Sequence, residues 1–353
     1  MQSKVILKSE LTKEILTSIL HKIKDIKVGV IGDGCLDVYW DVDMRLSQLS
    51  RETPHYPLPV VNERIYPGGG SNVAWNMKDL GASQVYMLSV IGDDWRAQCL
   101  ISKLEEKGVD TQFMITDQNR ITPAYCKPMK RGYSDLIYED ARIDFENHAP
   151  ISKDTEAKII ENLHQIAKKV DIIAVCDQFE HGIVNENIRK ELENLGLQGK
   201  KIIVDSRSRI GLYRHAIIKP NEMEAMGAAF NADYTDTSDF TLQNIIEGTY
   251  KLYLQNKAPV IVTLGSKGSL WYDGNSLCMA DAVPVEPPID IVGAGDAFLS
   301  AFSLAYGAGF EGHEAIAFGN MASSVVIQKI GMAGTVTSEE LFTQFERVKA
   351  YEK

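Results

Sequence analysis

The sequence predicts an α/β protein: a doubly wound, mainly parallel sheet flanked by helices, carrying a small β lid. Three observations predict it. From Ile151 onward, short runs rich in Ile and Val alternate with segments of helical apolar spacing, the pattern of parallel strands joined by crossover helices. Two stretches, about 41–66 and 109–146, hold short alternating segments instead. Pro54, Pro57 and Pro59 keep the first out of a central strand, so both read as lid insertions. Third, Asp290-Ile291-Val292-Gly293-Ala294-Gly295-Asp296 lies between a Pro-rich segment (Pro284, Pro287, Pro288) and the apolar run Ala297 to Phe310. That reads as a loop entering a helix. Residues 1–353 are taken as one domain.

Bulk composition bounds the function. The chain has 353 residues, 44% of them hydrophobic and 24% charged, the make-up of a globular protein. A net charge of -11, with no basic stripe, argues against a nucleic-acid partner. The five cysteines are widely spaced and form no C-x-x-C pair, so neither a zinc site nor a disulfide framework is expected. No signal-type apolar core and no membrane-length apolar run occurs. The expectation is a cytoplasmic protein with no membrane partner.

Taken in order, residues 9 to 24 carry Leu11, Ile15, Leu16, Ile19, Leu20 and Ile23 at helical spacing. Lys27 to Ile31 is a buried-type strand running into Gly32-Asp33-Gly34-Cys35-Leu36-Asp37. Ligands gather at the carboxyl ends of such strands, so Asp33 and Asp37 are placed to accept hydrogen bonds from a ligand's hydroxyls. The plainer alternative is a turn Asp satisfying its own backbone. Edge strands follow at Asp41 to Arg45 and Val60 to Tyr66, then Pro67-Gly68-Gly69-Gly70-Ser71-Asn72 entering a helix to Leu80. Those glycines allow close backbone approach to a ligand, and Asn72 can donate to and accept from a diol. Strand and helix then follow at Val85 to Ile91 and Asp94 to Lys107, with lid strands at Thr122 to Lys127 and Leu136 to Phe145. Beyond these come helix 152–168, strand Asp171 to Cys176, helix 184–195, strand Lys201 to Asp205 and a strand entering a helix at Ile217 to Glu224. Helix 239–255, strand Val260 to Leu264, a hairpin through Gly265 to Gly268 and helices 294–308, 312–329 and 338–350 complete the chain.

The Gly293–Asp296 stretch carries the chemistry. Gly293 and Gly295 let successive N–H groups converge, and the helix behind them adds its positive end. This is an anion site. Asp296 inside it is electrostatically odd unless it acts as a base, taking a hydroxyl proton while a phosphoryl group rests on the amides. The bland alternative is a helix-capping Asp.

Asp-x-x-Gly-Ala-Gly-Asp resembles the signature of the ribokinase-like (PfkB) carbohydrate kinases. The resemblance covers nearly the whole chain through four segments: Gly69, Gly70 and Asn72; Asp37; Asn221 with Glu224; and Asp290 to Asp296. It implies a ribokinase-like fold. It makes Asp296 the catalytic base and Gly293, Ala294 and Gly295 the holders of the transferred phosphate. It implies ATP and Mg²⁺ as cofactors, with Asn221 and Glu224 ordering the metal. One Glu with one Asn suits a cation that keeps waters and phosphates. Thr263, Gly265 and Gly268 resemble the turn under the nucleotide, which Asp290 and Asn320 join. Asp33, Asp37, Gly69, Gly70 and Asn72 fall to the sugar.

Within the family, the chain is similar to the branch that phosphorylates D-glycero-D-manno-heptose 7-phosphate at its anomeric hydroxyl. The similar stretches are Gly32 to Trp40, Pro57 to Val61, Pro67 to Asn76, Arg142 to Glu146 and Asn320 to Thr337. Bifunctional members carry a nucleotidyltransferase domain after the kinase, and a chain ending at Lys353 is expected to be a kinase alone. Three positions depart from the pattern. Ile291 stands where Thr is usual, His181 where a Lys is usual, and Met332 where Thr is common. The acceptor's phosphate needs cations, and Arg45, Arg51, Lys127 and Arg142 lie in the lid segments, with Arg142 the first choice. The alternatives are a fructose-, ribose- or nucleoside-type kinase, or a non-catalytic sugar-binding relative. Exposed lid edges imply a homodimer.

Overall fold

The computed structural model describes residues 6–134, 136–238 and 240–351. Their main sheet has nine strands, in the order Ile6–Ser9, Leu277–Ala280, Ser269–Tyr272, Val260–Thr263, Ile217–Ile218, Lys201–Ser206, Ile172–Asp177, Lys27–Gly32 and Gln84–Leu88. Pairing is parallel from Gln84–Leu88 through Val260–Thr263. Only Ser269–Tyr272 runs antiparallel to its neighbours. The central strands read as unbroken apolar runs because both faces are covered; every residue of Ile172–Asp177 is buried.

Two cores result, one on each face. One packs Lys13–Lys22, Gly70–Leu80, Trp95–Glu106 and the long helices Ala294–Gly307 and Gly312–Val326 through residues such as Leu16, Met77, Leu100, Phe302 and Phe318. The other packs Lys153–Ala167, Glu186–Leu197, Glu222–Phe230 and Leu242–Asn256 through Leu163, Leu192, Met226 and Ile245. Helices on both faces make the sheet doubly wound, as the alternation predicts.

The lid is a second sheet, ordered Ile143–Phe145, Ala124–Arg131, Gly34–Asp43, Val60–Gly69, with Ile137–Glu139 also on Ala124–Arg131. It differs from the expected lid at two points: Ile115–Thr116, at the start of the span 109–146, pairs with Val90–Ile91 instead, and the first lid strand begins earlier. Gly34–Asp43 starts directly after the main-sheet strand Lys27–Gly32, so Asp33 is the hinge between the two sheets. Gly34–Asp43 is central, parallel to Ala124–Arg131 and antiparallel to Val60–Gly69. The prolines behave as their chemistry requires. Pro54, Pro57 and Pro59 lie in the connecting loop, and Pro67 lies on the edge strand.

Further departures have local causes. The first helix begins at Lys13, capped by Thr12, because Ile6–Ser9 pairs instead with Leu277–Ala280. Neither of those short strands is anticipated from sequence. Val85 to Ile91 splits at Ser89, whose carbonyl accepts from Ile115 and whose hydroxyl accepts from Gly34. The remaining helices start and stop within a few residues of their expected places. No helix among the described residues is long and apolar enough to cross a membrane.

Candidate active site

The carboxyl ends of the parallel strands and the base of the lid meet around Asp33, and the site forms there. The end expected to take phosphate is the loop before helix Ala294–Gly307. Asp290 shapes that loop: its carboxylate accepts from Val292 N–H at 3.0 Å and Gly331 N–H at 2.9 Å. Gly293, with φ +82°, takes the left-handed turn into the helix, a conformation that strains any residue with a Cβ. Ala294 N–H turns back to the Ile291 carbonyl at 3.2 Å. The amides of Gly295 and Asp296 belong to the first turn, where N–H groups have no intrahelical acceptor. A Cβ on Gly295 would meet nothing within 4 Å, so the space above this helix end is open to an anion. Of the amides read as phosphate holders, Ala294's is thus spent on Ile291, while Gly295's has no intrahelical acceptor.

Asp296 is half-buried, and its Oδ2 accepts from Asn72 Nδ2 at 2.8 Å. Burial pushes its pKa up to about 7, against the Asn72 bond and the charge of Lys219, with Asp205 adding to the rise. Asn72 itself is fully buried, and Asn76 Nδ2 donates to its carbonyl at 3.0 Å. The sequence reading gave Asn72 to a sugar diol. In the structure its amide bonds the Asp296 carboxylate, which it orients.

The acceptor side also differs from expectation at Asp33. This carboxylate is 2% exposed and accepts from the amides of Gln178 (2.9 Å), Phe179 (2.8 Å) and Ile183 (2.8 Å). Burial raises its pKa to about 6, though those amide bonds favour the charge. Asp33 therefore holds the Gln178–Ile183 loop rather than facing a sugar. Its backbone also builds the floor. Gly70 N–H donates to the Asp33 carbonyl at 2.7 Å. Gly69 has φ +54°, and a Cβ there would lie 2.7 Å from the same oxygen.

Asp37 is buried and pairs with Lys127 at 2.9 Å. Burial disfavours the Lys127 charge, yet Asp37 and the Tyr39 hydroxyl at 3.1 Å hold its pKa up to about 12. Arg142 stacks over the Tyr125 ring at 4.5 Å, but Asp144 occupies its fork through two 2.7 Å bonds. Arg45 is likewise engaged by Asp43. Of the four cations expected to meet an acceptor phosphate, three are thus neutralised by their own acids.

On the nucleotide side, Asn221 caps helix Glu222–Phe230 in a reciprocal box with Glu224, at 2.9 Å and 2.8 Å. Their spacing has this structural use as well as any metal role. Burial and the charge of Asp205 push Glu224 up to about 7, against Lys219. No cluster of three or more His, Cys, Asp or Glu side chains that could hold a metal exists among the described residues. The donor set therefore fits Mg²⁺ only as an ion carried mainly by phosphate oxygens and waters, with Glu224 as the carboxylate. Thr263 bridges Asn221 through the backbone, and Gly265–Lys267 with Gly268 forms the tight turn that follows. Asn320 is buried with its amide on the Ala280 and Asp281 carbonyls, at 3.0 and 3.1 Å, so it anchors the end of a strand.

Sequence reading missed two charge pairs. Lys219, 4% exposed, pairs with Asp205 at 2.9 Å, and its charge reaches both Glu224 and Asp296. Asp177, fully buried, accepts from Ser206 Oγ at 2.8 Å, Tyr213 OH at 2.9 Å and Arg209 Nε at 3.0 Å. Arg209 also donates to the Phe179 carbonyl at 2.6 Å, so the loop held from below by Asp33 is clamped from above. His181 enters through its carbonyl, which accepts from Arg120 Nη2 at 2.6 Å. The available signal was a charged residue closing an apolar run, as in Ile202-Ile203-Val204-Asp205 and Ile217-Ile218-Lys219.

A carboxyl of raised pKa beside a helix N-terminus, beneath a β lid on a doubly wound sheet, is the setting of a sugar kinase of ribokinase-like fold. The family model described as pfkB family carbohydrate kinase matches residues 36–339, and the chain belongs to that family. Among curated relatives, the bifunctional protein HldE of Aliarcobacter butzleri is 31% identical over 323 residues, covering 89% of this chain and 63% of that protein. The HldE of Bradyrhizobium diazoefficiens is covered over 61% of its length, so the chain spans less than two thirds of these relatives. Among solved structures, phosphofructokinase-2 from Escherichia coli in complex with potassium superposes with a TM-score of 0.73 at 19% identity, over 92% of this chain and 99% of that one. Ribokinase of Arabidopsis thaliana, complexed with ribose and ATP, gives 0.67 at 19% identity, over 91% and 99%.

Proposed function

We propose that this single kinase domain transfers the γ-phosphoryl group of ATP to a hydroxyl of a sugar phosphate, with D-glycero-D-manno-heptose 7-phosphate the leading acceptor. The observation that carries phosphoryl transfer is Asp296, bonded to Asn72 at 2.8 Å at the mouth of an open helix end. The heptose assignment draws support from the segments similar to heptose-phosphate kinases and from relatives named HldE.

In this reading Asp296 takes the proton of the acceptor hydroxyl. A pKa of about 7 suits a base working near neutral pH. The oxygen bonds to the γ-phosphorus as the bond to the β-phosphate oxygen breaks, and ADP carries away that electron pair. The Gly295 amide and its neighbours stabilise charge on the transferring group. Lys219 sets the field around Glu224 and Asp296. Asn221 and Glu224 would hold Mg²⁺ at the phosphates, and when bound it neutralises phosphate charge. Thr263, Gly265 and Gly268 lie under the nucleotide. Asp37, Gly69 and Gly70 line the acceptor's place. The lid pairs two copies into a homodimer.

A second reading has an observation in its favour: Asp37 and Asp144 already engage Lys127 and Arg142, which suits an unphosphorylated sugar such as fructose or ribose. An ADP-release assay with heptose 7-phosphate, fructose 6-phosphate, fructose and ribose decides between them. Preference for the heptose phosphate is expected. Preference for an unphosphorylated sugar would move the assignment to the second reading, and no ADP release with any acceptor would return the chain to a binding role.

A further inference from the structure

Arg207 has no part in the site as described so far. It follows Ser206 at the carboxyl end of Lys201–Ser206, a strand lying between Ile172–Asp177 and Ile217–Ile218. Topology therefore brings Arg207 off the sheet between two walls of the cleft. On one side is the clamped Gln178–Ile183 loop, with the lid floor above it: Phe179 meets Tyr125 edge-on, with ring centroids 6.1 Å apart. On the other side is the segment from Lys219 to Glu224. Arg207 N–H donates to the Asp177 carbonyl at 3.2 Å, so its backbone is anchored to the strand end from which that loop leaves. Its side chain is exposed, and among the described residues no acid pairs with it. Its charge is felt at Tyr125 and at Glu224, one on each wall.

The neighbouring cations are engaged. Lys127 is held by Asp37, Arg142 by Asp144, Arg209 by Asp177 and Lys219 by Asp205. Arg51 lies in the loop that joins the far ends of the lid strands. The ten residues of Val60–Gly69 put that loop about 30 Å from the floor at Gly69. An acceptor phosphate brings roughly two negative charges into this cleft. In the proposed reading the transferring phosphate is met by the helix amides. Arg120, beside the same loop, spends its guanidinium on the Ala149 and His181 carbonyls, so among the described residues Arg207 is the exposed guanidinium of this cleft with no acid or carbonyl on its side chain.

We infer that Arg207 grips the acceptor's own phosphate, where the Gln178–Ile183 loop meets the lid floor, and so selects phosphorylated over unphosphorylated sugars. This rests on the reading that the acceptor is a sugar phosphate. A guanidinium fork suits the task because it donates two parallel bonds to phosphate oxygens.

Steady-state kinetics of the full chain test it with heptose 7-phosphate, fructose 6-phosphate and fructose. Arg207→Ala is expected to raise KM for the preferred sugar phosphate roughly 10- to 100-fold, the equivalent of one charge-assisted bidentate contact. KM for ATP and turnover on fructose should stay at wild-type values, and Arg207→Lys should recover part of the loss. Two outcomes overturn the inference alone. In one, wild type prefers the sugar phosphate while Arg207→Ala leaves its KM unmoved. In the other, the variant loses turnover on phosphorylated and unphosphorylated sugars alike, which assigns Arg207 to the transferring group. If wild type prefers fructose, the sugar-phosphate reading falls and this inference falls with it.

Discussion

Asp296 is costly to the fold because its charge is disfavoured where it sits. An unfolded Asp titrates near 4, at about 3.9, while the folded carboxyl titrates at about 7. Below both values the proton is bound in either state, and Asp296 costs nothing. Between them the unfolded chain releases a proton that the folded chain keeps, so stability falls as pH rises. Above about 7 the penalty is complete. Asp296→Asn should therefore raise the melting temperature at pH 8 and leave it nearly unchanged at pH 4, which thermal scans at the two pH values check. The same variant cannot take a proton, and turnover should fall by roughly 10² to 10⁴. Wild-type kcat/KM should climb about tenfold per pH unit below about 7 and flatten above it. That limb should vanish in Asp296→Asn. A variant both active and no more heat-stable at pH 8 would remove Asp296 from this role.

At the scale of elements, the Arg64 side chain links the lid to the loop that precedes Gly293. Arg64, on the edge strand Val60–Gly69, donates to the Gly331 carbonyl at 2.8 Å and pairs with Asp41 at 2.9 Å. Gly331 N–H in turn bonds the Asp290 carboxylate that also holds Val292. A change in lid position at Arg64 is thus transmitted to the turn preceding Gly293. Arg64→Ala should lower kcat/KM for the acceptor roughly tenfold, the equivalent of one charge-assisted bond. It should also speed amide exchange at Gly331 and Val292. Unchanged exchange at both amides would show that lid and loop are independent.

At the scale of the molecule, the lid leaves large apolar side chains in solvent. Val60, Val61, Ile137, Tyr138 and Ile143 are each 48–57% exposed, and Val60–Gly69 presents an unpaired strand edge among the described residues. Such edges recruit a partner unless they are blunted. A homodimer joined through the lid is expected, with twice the 39.2 kDa mass of the chain in light scattering at micromolar concentration. Val61→Lys, a charge on that edge, should shift the mass toward one chain. A wild-type monomer would refute the assembly.

What the sequence alone determined is local. Runs of Ile and Val ending in Asp or Lys specify buried parallel strands, as at Ile202 to Asp205, because both faces of the sheet must be covered. Gly293 specifies the turn before Asp296 because only glycine takes a φ of +82° without strain. Motif spacing singled out Asn221 and Glu224 as a pair for Mg²⁺, while their reciprocal capping of helix Glu222–Phe230 emerged only in the structure. What only the tertiary structure decided is which groups each buried carboxylate faces. Asp33 turns to amides 145 to 150 residues away rather than to a sugar. Asn72 meets Asp296 across 224 residues. Asp144 fills the fork of Arg142, while Arg207, outside every motif, meets no acid among the described residues. A residue's type states what bonds it can make. Its partner is set by where the sheet and lid bring distant backbone together, and burial then obliges each polar group to take the partner it finds.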